Sequence, residues 1–248
     1  MANKSQAQNI YFEGYNNGSG SNISIHAGVG SAILVGDIDE ANVSYGIPGK
    51  AFSLNGGLSY RLTNYISIRG EANVFQLYSE TKENAWDHRP SIKTFGADVS
   101  LNLVHNIIPQ YKIDQGKARF NAYVFVGIGN TYFVPKDAET GDNLRDENRN
   151  QIATGGYAKI AMVTPFGGGI EFYPSSYISI GGEISYRPTS TDFLDDIKPL
   201  DFANSGNDGY YLAQIRVKYN LGKKGAGNLS GFNYGSYLKK SKKRAKYK

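Results

Sequence analysis

Charged side chains in this sequence recur at alternate positions within stretches whose other positions are mostly apolar. In the segment 65–74, which reads YISIRGEANV, Arg69 and Glu71 stand two residues apart, with isoleucine, glycine and alanine at the intervening and flanking positions. Successive side chains of a β-strand point to opposite faces, so this spacing places both charges on one face and the apolar residues on the other. The chemistry that this pattern favours is ion pairing.

The sequence offers no recognisable constellation for catalysis or metal binding. His26, His88 and His105 are scattered, and none belongs to a metal-binding pair such as H-E-x-x-H. The nucleophile motif G-x-S-x-G and the phosphate-binding motif G-x-x-x-x-G-K-[ST] do not occur. The acidic stretch 137–150 carries enough charge for a cation, but its spacing does not fit an EF-hand loop. We therefore expect no enzymatic activity, no cofactor and no metal site.

One strand–turn–strand unit occurs twice in the sequence. The phrase YISIRGEANV at 65–74 recurs as YISIGGEISY at 177–186, and each copy follows a Gly-rich alternating segment and a tight turn. The same period of two extends along the chain and predicts eight strands. Their approximate ranges are 22–37, 51–63, 65–80, 91–107, 119–134, 159–174, 177–190 and 209–221.

The connections between these strands alternate between short and long. About two residues, TN or SS, join strands two and three and strands six and seven, and a moderate turn joins strands four and five. The other connections are long and polar, at 37–50, 80–90, 135–159 and 191–209. An even number of strands with short turns at one end and long loops at the other is typical of outer-membrane barrels.

We therefore predict an all-β fold, an eight-stranded antiparallel transmembrane β-barrel spanning residues 21–222, with short periplasmic turns and long extracellular loops. A transmembrane helix is not expected, because the sequence has no run of 18 apolar residues. A soluble lipocalin-like barrel or sandwich is the alternative. Two aromatic belts support the membrane interpretation. The expected belts comprise Tyr60, Tyr65, Phe172, Tyr173 and Tyr177 near the short turns, and Phe75, Tyr78, Tyr132, Phe133 and Tyr186 near the long loops.

The charges on the polar strand faces are expected to fill the barrel. Alternation assigns nine of them to the lumen: Arg61, Arg69, Glu71, Asp98, Glu171, Glu183, Arg187, Arg216 and Lys218. Eight strands leave a bore only wide enough for side chains, and an unpaired buried charge is costly. We therefore expect a lumen plugged by paired charges; a substrate channel is the alternative.

The two ends of the chain differ from the barrel. Residues 1–20 are expected to form a periplasmic segment, in which SQAQ resembles the end of a signal peptide cleaved after Ala7, with the natural start lying upstream. Residues 223–248 form a basic tail with nine Lys and Arg residues and no acid. Seven of them cluster near the end: Lys239, Lys240, Lys242, Lys243, Arg244, Lys246 and Lys248. Such a tail is either a solvated flexible extension or a docking arm for an acidic periplasmic surface.

Three stretches resemble the PorG-like outer-membrane β-barrel proteins of Bacteroidota. They are HAGVGSAILVGDI at 26–38, TDFLDDI at 191–197 and NDGYYLAQIRVKYNLG at 207–222. The residues that carry the resemblance are Gly36, Asp37, Thr191, Asp192, Leu194, Asp195 and Asp196. The family is associated with the type IX secretion system, so the resemblance implies a link to periplasmic ring proteins of the PorK and PorN kind. The basic tail departs from the family pattern.

Together these observations favour a non-enzymatic anchor in the outer membrane of a Gram-negative cell, with both termini in the periplasm. The expected partners are outer-membrane lipid and a periplasmic protein-secretion or gliding assembly, with no nucleic acid and no small-molecule substrate. The alternative function is that of a general OmpA/OmpX-like or OmpW-like barrel, serving envelope stability, adhesion or passage of small hydrophobic solutes.

Overall fold

The computed structural model describes residues 22–35, 51–79, 92–142, 158–191, 193–194 and 207–221. The predictions for the N-terminal segment and for the basic tail concern residues outside these ranges. The same holds for Gly36, Asp37, Asp192, Asp195 and Asp196 of the family resemblance.

The described chain is almost entirely β-structure. Its elements are β1 (Ile23–Val35), β2 (Phe52–Arg61), β3 (Ile66–Ser79), β4 (Ile92–Asn106), α1 (Gln110–Asp114), β5 (Phe120–Asp137), β6 (Ile160–Val163), β7 (Phe166–Phe172), β8 (Ile178–Pro188) and β9 (Gly209–Asn220). Each strand pairs antiparallel with its neighbours, and β1 pairs with β9, so the sheet closes on itself. The prediction of an all-β closed barrel is confirmed.

The segments β6 and β7 form one barrel strand, interrupted at Thr164 and Pro165. Both segments pair with β5 in one continuous register, in which Val163 stands opposite Gly129 and Phe166 opposite Val126. Proline has no backbone N–H to give to the ladder, but its carbonyl still accepts a hydrogen bond from Gly127 at 2.8 Å. The barrel therefore has eight strands, as the sequence predicts.

The main departure from the predicted elements is the connection between β4 and β5. The sequence predicts a plain turn there, whereas the structure contains the short helix α1. The fifth strand also extends to Asp137, beyond the predicted end at residue 134. Across the described ranges, no helix has the length and apolar character needed to cross a membrane.

The outer face of the barrel is apolar. Along β4 the exposed apolar side chains are Phe95, Val99, Leu101 and Leu103, while the alternate residues from Gly96 to Asn102 lie on the inner face and are buried. The other strands show the same alternation. A continuous apolar surface of this extent suits lipid rather than water, and this is the exterior of a transmembrane barrel.

Exposed aromatic side chains lie near both ends of this surface. At the end where β2 joins β3, β4 joins β5 and β7 joins β8, here called the short-turn end, they are Tyr60, Tyr65, Phe120, Phe172 and Tyr219. At the opposite, long-loop end they are Phe52, Phe95, Tyr132, Phe166 and Tyr211. Their positions suit the two bilayer interfaces.

For three residues the predicted place in the aromatic belts is wrong. Phe75, Phe133 and Tyr173 point into the barrel, where each is almost fully buried. The strand period explains this, since the exposed Val74 and Tyr132 directly precede Phe75 and Phe133 and must face the other way.

Phe75 and Phe133 instead form part of an apolar stopper inside the long-loop end. Its members are Ala32, Leu34, Phe75, Leu77, Phe133, Ala161, Leu194, Tyr210 and Leu212, with Phe193 packed against them. Leu194 comes from the connection after β8, which folds back into the barrel at this point. Thr94 donates a hydrogen bond to the Leu194 carbonyl at 2.7 Å, and the Leu194 N–H donates to Asp208 Oδ2 at 2.8 Å. The long-loop end of the lumen is thus closed by apolar side chains.

Candidate functional site in the barrel lumen

Below the stopper, the middle of the lumen contains six charged side chains. They are Arg69, Glu71, Asp98, Glu183, Arg187 and Arg216, and all six are buried. Alternation of side chains along β3, β4, β8 and β9 points them inward, so the polar face of each strand delivers its charges to one central layer. This layer contains as many carboxylates as guanidinium groups.

Arg69 joins the two halves of the repeated sequence. Its Nη1 lies 2.6 Å from Glu183 Oε2, and its Nε lies 3.0 Å from Glu71 Oε2. Glu71 and Glu183 occupy equivalent positions in the two copies at 65–74 and 177–186. The duplicated hairpins therefore present the same carboxylate from opposite walls, and Arg69 bridges them.

Glu71 is the centre of the network. Besides Arg69 it meets Arg187 Nη2 at 2.5 Å and Arg216 Nη1 at 3.5 Å, and its side chain has no exposed surface. Arg187 also reaches Asp98 Oδ1 at 2.7 Å, and Arg216 forms a close ion pair with Glu183. Each guanidinium thus contacts two carboxylates, so no charge of this layer is left without an opposite partner.

Neutral side chains complete the hydrogen bonding of the carboxylates. The Tyr123 hydroxyl donates to Glu183 Oε2 at 2.7 Å, and the Tyr210 hydroxyl donates to Asp98 Oδ2 at 2.8 Å. Asn73 donates to Asp98 Oδ1 at 3.0 Å and accepts a hydrogen bond from Asn55 at 2.9 Å. Sequence reasoning missed these groups because it considered only formal charge; their inward parity on the strands was the available signal.

The three remaining predicted charges lie nearer the short-turn end, in two separate ion pairs. Lys218 Nζ lies 2.7 Å from Glu171 Oε2 and donates to the Tyr173 hydroxyl at 2.9 Å, while Tyr173 donates to Glu171. Arg61 pairs with Asp114 of α1 through contacts of 2.6 and 3.3 Å. Their side chains are 7–17% exposed, against at most 8% in the central layer.

Asp114 is the acidic residue that the sequence analysis missed. It lies in a connection outside the strands, so the alternation rule does not assign it to any face. With Asp114, the ion pairs of the central layer and of the short-turn end comprise five carboxylates and five cationic side chains among the described residues. The excess of one positive charge in the predicted set is thereby balanced.

The helix α1 lies at the short-turn end. Gln110 and Ile113 are buried beneath the barrel, and the Gln110 N–H donates to the Asn64 carbonyl of the β2–β3 turn at 2.9 Å. Together with the Arg61–Asp114 pair, this contact holds the helix across the opening. A polar cavity of about 50 Å³ remains between the helix and the central layer.

The residues of the family resemblance play a local structural part where the structure describes them. Leu194 belongs to the stopper, and the Thr191 carbonyl accepts hydrogen bonds from Thr189 Oγ1 at 3.1 Å and from the Asp208 N–H at 2.9 Å. These contacts join the first and last described parts of the connection between β8 and β9. The described residues include no group of three or more His, Asp or Glu arranged to hold a metal ion.

No protein-family model matches the sequence, and no curated protein matches it. Solved structures match the fold. Neisserial surface protein A (NspA) is 11% identical with a TM-score of 0.47, over 81% of this chain and 98% of that one. The outer membrane protein OprG from Pseudomonas aeruginosa is 13% identical with a TM-score of 0.46, over 82% and 98%. Ail, the attachment invasion locus protein of Yersinia pestis, is 12% identical with a TM-score of 0.44, over 82% and 99%. The matched structures also include an outer membrane enzyme and an outer membrane protease.

Proposed function

We propose that this protein is a non-conducting, non-enzymatic anchor in the outer membrane that holds a periplasmic protein-secretion assembly. The observation that carries the proposal is the filled lumen. An apolar stopper, a layer of six paired charges and the helix α1 occupy it in succession. Such a barrel offers no open path for a solute, and it is suited to fixing attached segments at a membrane.

The outer membrane is proposed because closed barrels with short turns at one end and long loops at the other are typical of it. In this arrangement the short-turn end faces the periplasm. The first strand begins there at Ile23 and the last strand ends there at Asn220. The N-terminal segment and the basic tail would then both enter the periplasm.

The charge at the short-turn end supports attachment to an acidic partner. Lys112, Lys117 and Arg119 are exposed on the connection that contains α1, whereas its Asp114 is engaged by Arg61. The last strand, β9, ends at the same end, and the sequence that follows it contains nine more basic residues. The resemblance to PorG-like proteins suggests a ring of the PorK and PorN kind as the partner. Gliding machinery that uses such a ring falls within the same proposal.

The alternative is a general small barrel of the OmpA/OmpX or OmpW kind. Envelope stability and adhesion fit a filled barrel equally well, since neither needs a path through the lumen. Passage of hydrophobic solutes is less compatible with the buried charge layer. The anchor and the general barrel are distinguished by whether the protein holds a defined periplasmic partner.

The orientation predicts which introduced thiols can be labelled from outside the cell. The variants Asn143→Cys and Ala203→Cys place a thiol in the long connections and should react with a membrane-impermeant maleimide in intact cells. The variant Ser236→Cys should react only after permeabilisation. The chain has no cysteine of its own, so each variant reports on one position. Labelling of Ser236→Cys in intact cells would reverse the proposed orientation.

Deletion of residues 236–248 should reduce recovery of the ring proteins while leaving the barrel folded. The deletion removes seven basic residues, and exposed charges of this kind contribute affinity that salt weakens. The measurement is stoichiometric co-purification of PorK- and PorN-like proteins in mild detergent, at low and at high salt. Heat-modifiable migration on gels verifies that the barrel has folded.

The matched control reverses charge at the other end of the barrel. Lys93 and Lys136 are exposed at the long-loop end, directly opposite each other on β4 and β5. The double variant Lys93→Glu and Lys136→Glu should not affect partner recovery. If the tail deletion leaves recovery unchanged at every salt concentration, the tail takes no part in attachment. If no ring protein is recovered with the unmodified chain either, the anchor function is wrong.

A further inference from the structure

The cavity above α1 is polar and lies on the side of the charge layer that faces the short-turn end. Its wall includes Arg61, Arg69, Arg216, Lys218 and Glu171, together with His26 and Gln110. The apolar stopper blocks access from the long-loop end. A ligand of this cavity would therefore enter from the short-turn end, past the mouth that Arg61 and Asp114 share.

Two residues of the cavity wall carry buried nitrogens that lack a hydrogen-bond partner. Both ring nitrogens of His26 and the side-chain nitrogen of Gln110 are buried without a hydrogen-bond partner. The His26 side chain is only 2% exposed. A neutral imidazole has one N–H, and the amide nitrogen of glutamine is a donor only. Buried donors normally have an acceptor, whereas the Gln110 amide and the one N–H of a neutral His26 have none in the protein. A group bound in the cavity could supply it.

The charges on the wall favour an acceptor with negative charge. Four cationic side chains line the cavity, against the single carboxylate of Glu171. The carboxylates that pair with Arg69 and Arg216 are Glu71 and Glu183, which lie behind the wall, in the central layer. Lys218 gives two of its three N–H groups to Glu171 and Tyr173, which leaves one for a ligand.

The size of the cavity exceeds what one water needs. A single water requires roughly 10–15 Å³ of such volume. The cavity has about 50 Å³, which accommodates several waters or one compact ion of a few heavy atoms. Charge-assisted hydrogen bonds from Lys218 and from the arginines would make such an ion the stronger ligand.

We propose that this cavity is a binding site for a small oxyanion, a carboxylate or phosphate group, held by Gln110, His26 and Lys218. The group could belong to a free ion or to the acidic side chain of a bound polypeptide, because both present the same oxygens. The proposal is independent of the anchor function, since it requires no ring protein.

The test follows the His26 imidazole in the full chain, refolded in detergent micelles with 15N-labelled histidine. The His26→Gln variant identifies the His26 signal among the three histidines. Sodium phosphate, sodium acetate and a short Glu-rich peptide are titrated separately at constant ionic strength. We expect a saturable shift of the His26 signal with at least one of them. Phosphate or acetate would indicate a free ion, and a response to the peptide alone would indicate a polypeptide carboxylate.

The variants Gln110→Leu and Lys218→Met should each weaken the binding by about tenfold or more, because each removes a donor to a charged group. Gln115→Leu is the matched control, since Gln115 is exposed beside the same helix and should leave the binding unchanged. If Gln110→Leu does not fold, Lys218→Met provides the test. The proposal is overturned if none of the three probes shifts the His26 signal in a saturable way. It is equally overturned if the folded Gln110→Leu or Lys218→Met variant binds as tightly as Gln115→Leu.

Discussion

Replacing Glu71 with glutamine is expected to lower the free energy of unfolding by about 3–5 kcal/mol. The Glu71 carboxylate is fully buried and lies within 3.5 Å of Arg69, Arg187 and Arg216. Its neutralisation leaves three buried guanidinium groups with only two carboxylates, Asp98 and Glu183. Urea unfolding of the refolded barrel, followed by its heat-modifiable migration on gels, measures the loss.

The matched control is Glu139→Gln, which makes the same substitution at an exposed position. It should change the free energy of unfolding by no more than about 0.5 kcal/mol. The double variant Glu71→Gln and Arg69→Gln should recover part of the loss, because Arg187 then keeps Asp98 and Arg216 keeps Glu183. A single Glu71→Gln variant as stable as the unmodified chain would show that the charge layer does not depend on balance.

The repeat explains why the charge layer forms where it does. The hairpins β2–β3 and β7–β8 are four strands apart in a barrel of eight, so they stand on opposite walls. Arg69 and Arg216 each contact both Glu71 and Glu183, so these two carboxylates lie close to the same point of the axis. The first copy has Arg69 where the second has Gly181. The repeat therefore supplies two equivalent carboxylates, and this difference between the copies supplies a cation that joins them.

Side-chain alternation predicts which face of a strand a residue occupies, but not the height of that residue along the barrel axis. A period of two correctly assigns Arg69, Glu71 and Arg187 to the inner face, because it follows from strand geometry alone. The height of a residue along the barrel depends on the tilt of the strands and the shear of the closed sheet. For this reason the partners could not be read from the sequence: Arg69 and Glu183 are 114 residues apart and meet only after closure.

The error in the aromatic belts has a different cause, because parity alone predicts the correct face. Phe75 and Phe133 lie near strand ends, and this position along the strand, taken without parity, predicts that they belong to a belt. Their parity places them inside, and a small barrel needs bulky residues to fill its bore.

The helix α1 is not predicted from the sequence for another reason. Five residues between Pro109 and Gln115 form it, too few for a periodic pattern to be visible, and its position depends on the tertiary contact of Asp114 with Arg61.

Replacing Leu194 with alanine is expected to lower the free energy of unfolding by about 2–5 kcal/mol and to open the long-loop end to water. Leu194 is fully buried among Phe75, Phe133 and Tyr210, and it is held there by its backbone hydrogen bonds to Thr94 and Asp208. Its truncation leaves a gap above the charge layer. A thiol introduced by Thr131→Cys reports this gap, because Thr131 is fully buried two residues below Phe133 on β5.

In membrane vesicles, a membrane-impermeant maleimide on the long-loop side should label Thr131→Cys slowly in the otherwise unmodified chain and rapidly when Leu194→Ala is added. Leu101→Ala is the matched control, since Leu101 is 56% exposed on the lipid face and should not change the labelling rate. Neither variant should conduct steadily in planar bilayers, because the paired charges beneath the stopper still fill the bore. Rapid labelling without Leu194→Ala would show that the stopper does not exclude water. A steady current through the Leu194→Ala variant would show that the stopper, rather than the charge layer, is the barrier to ions.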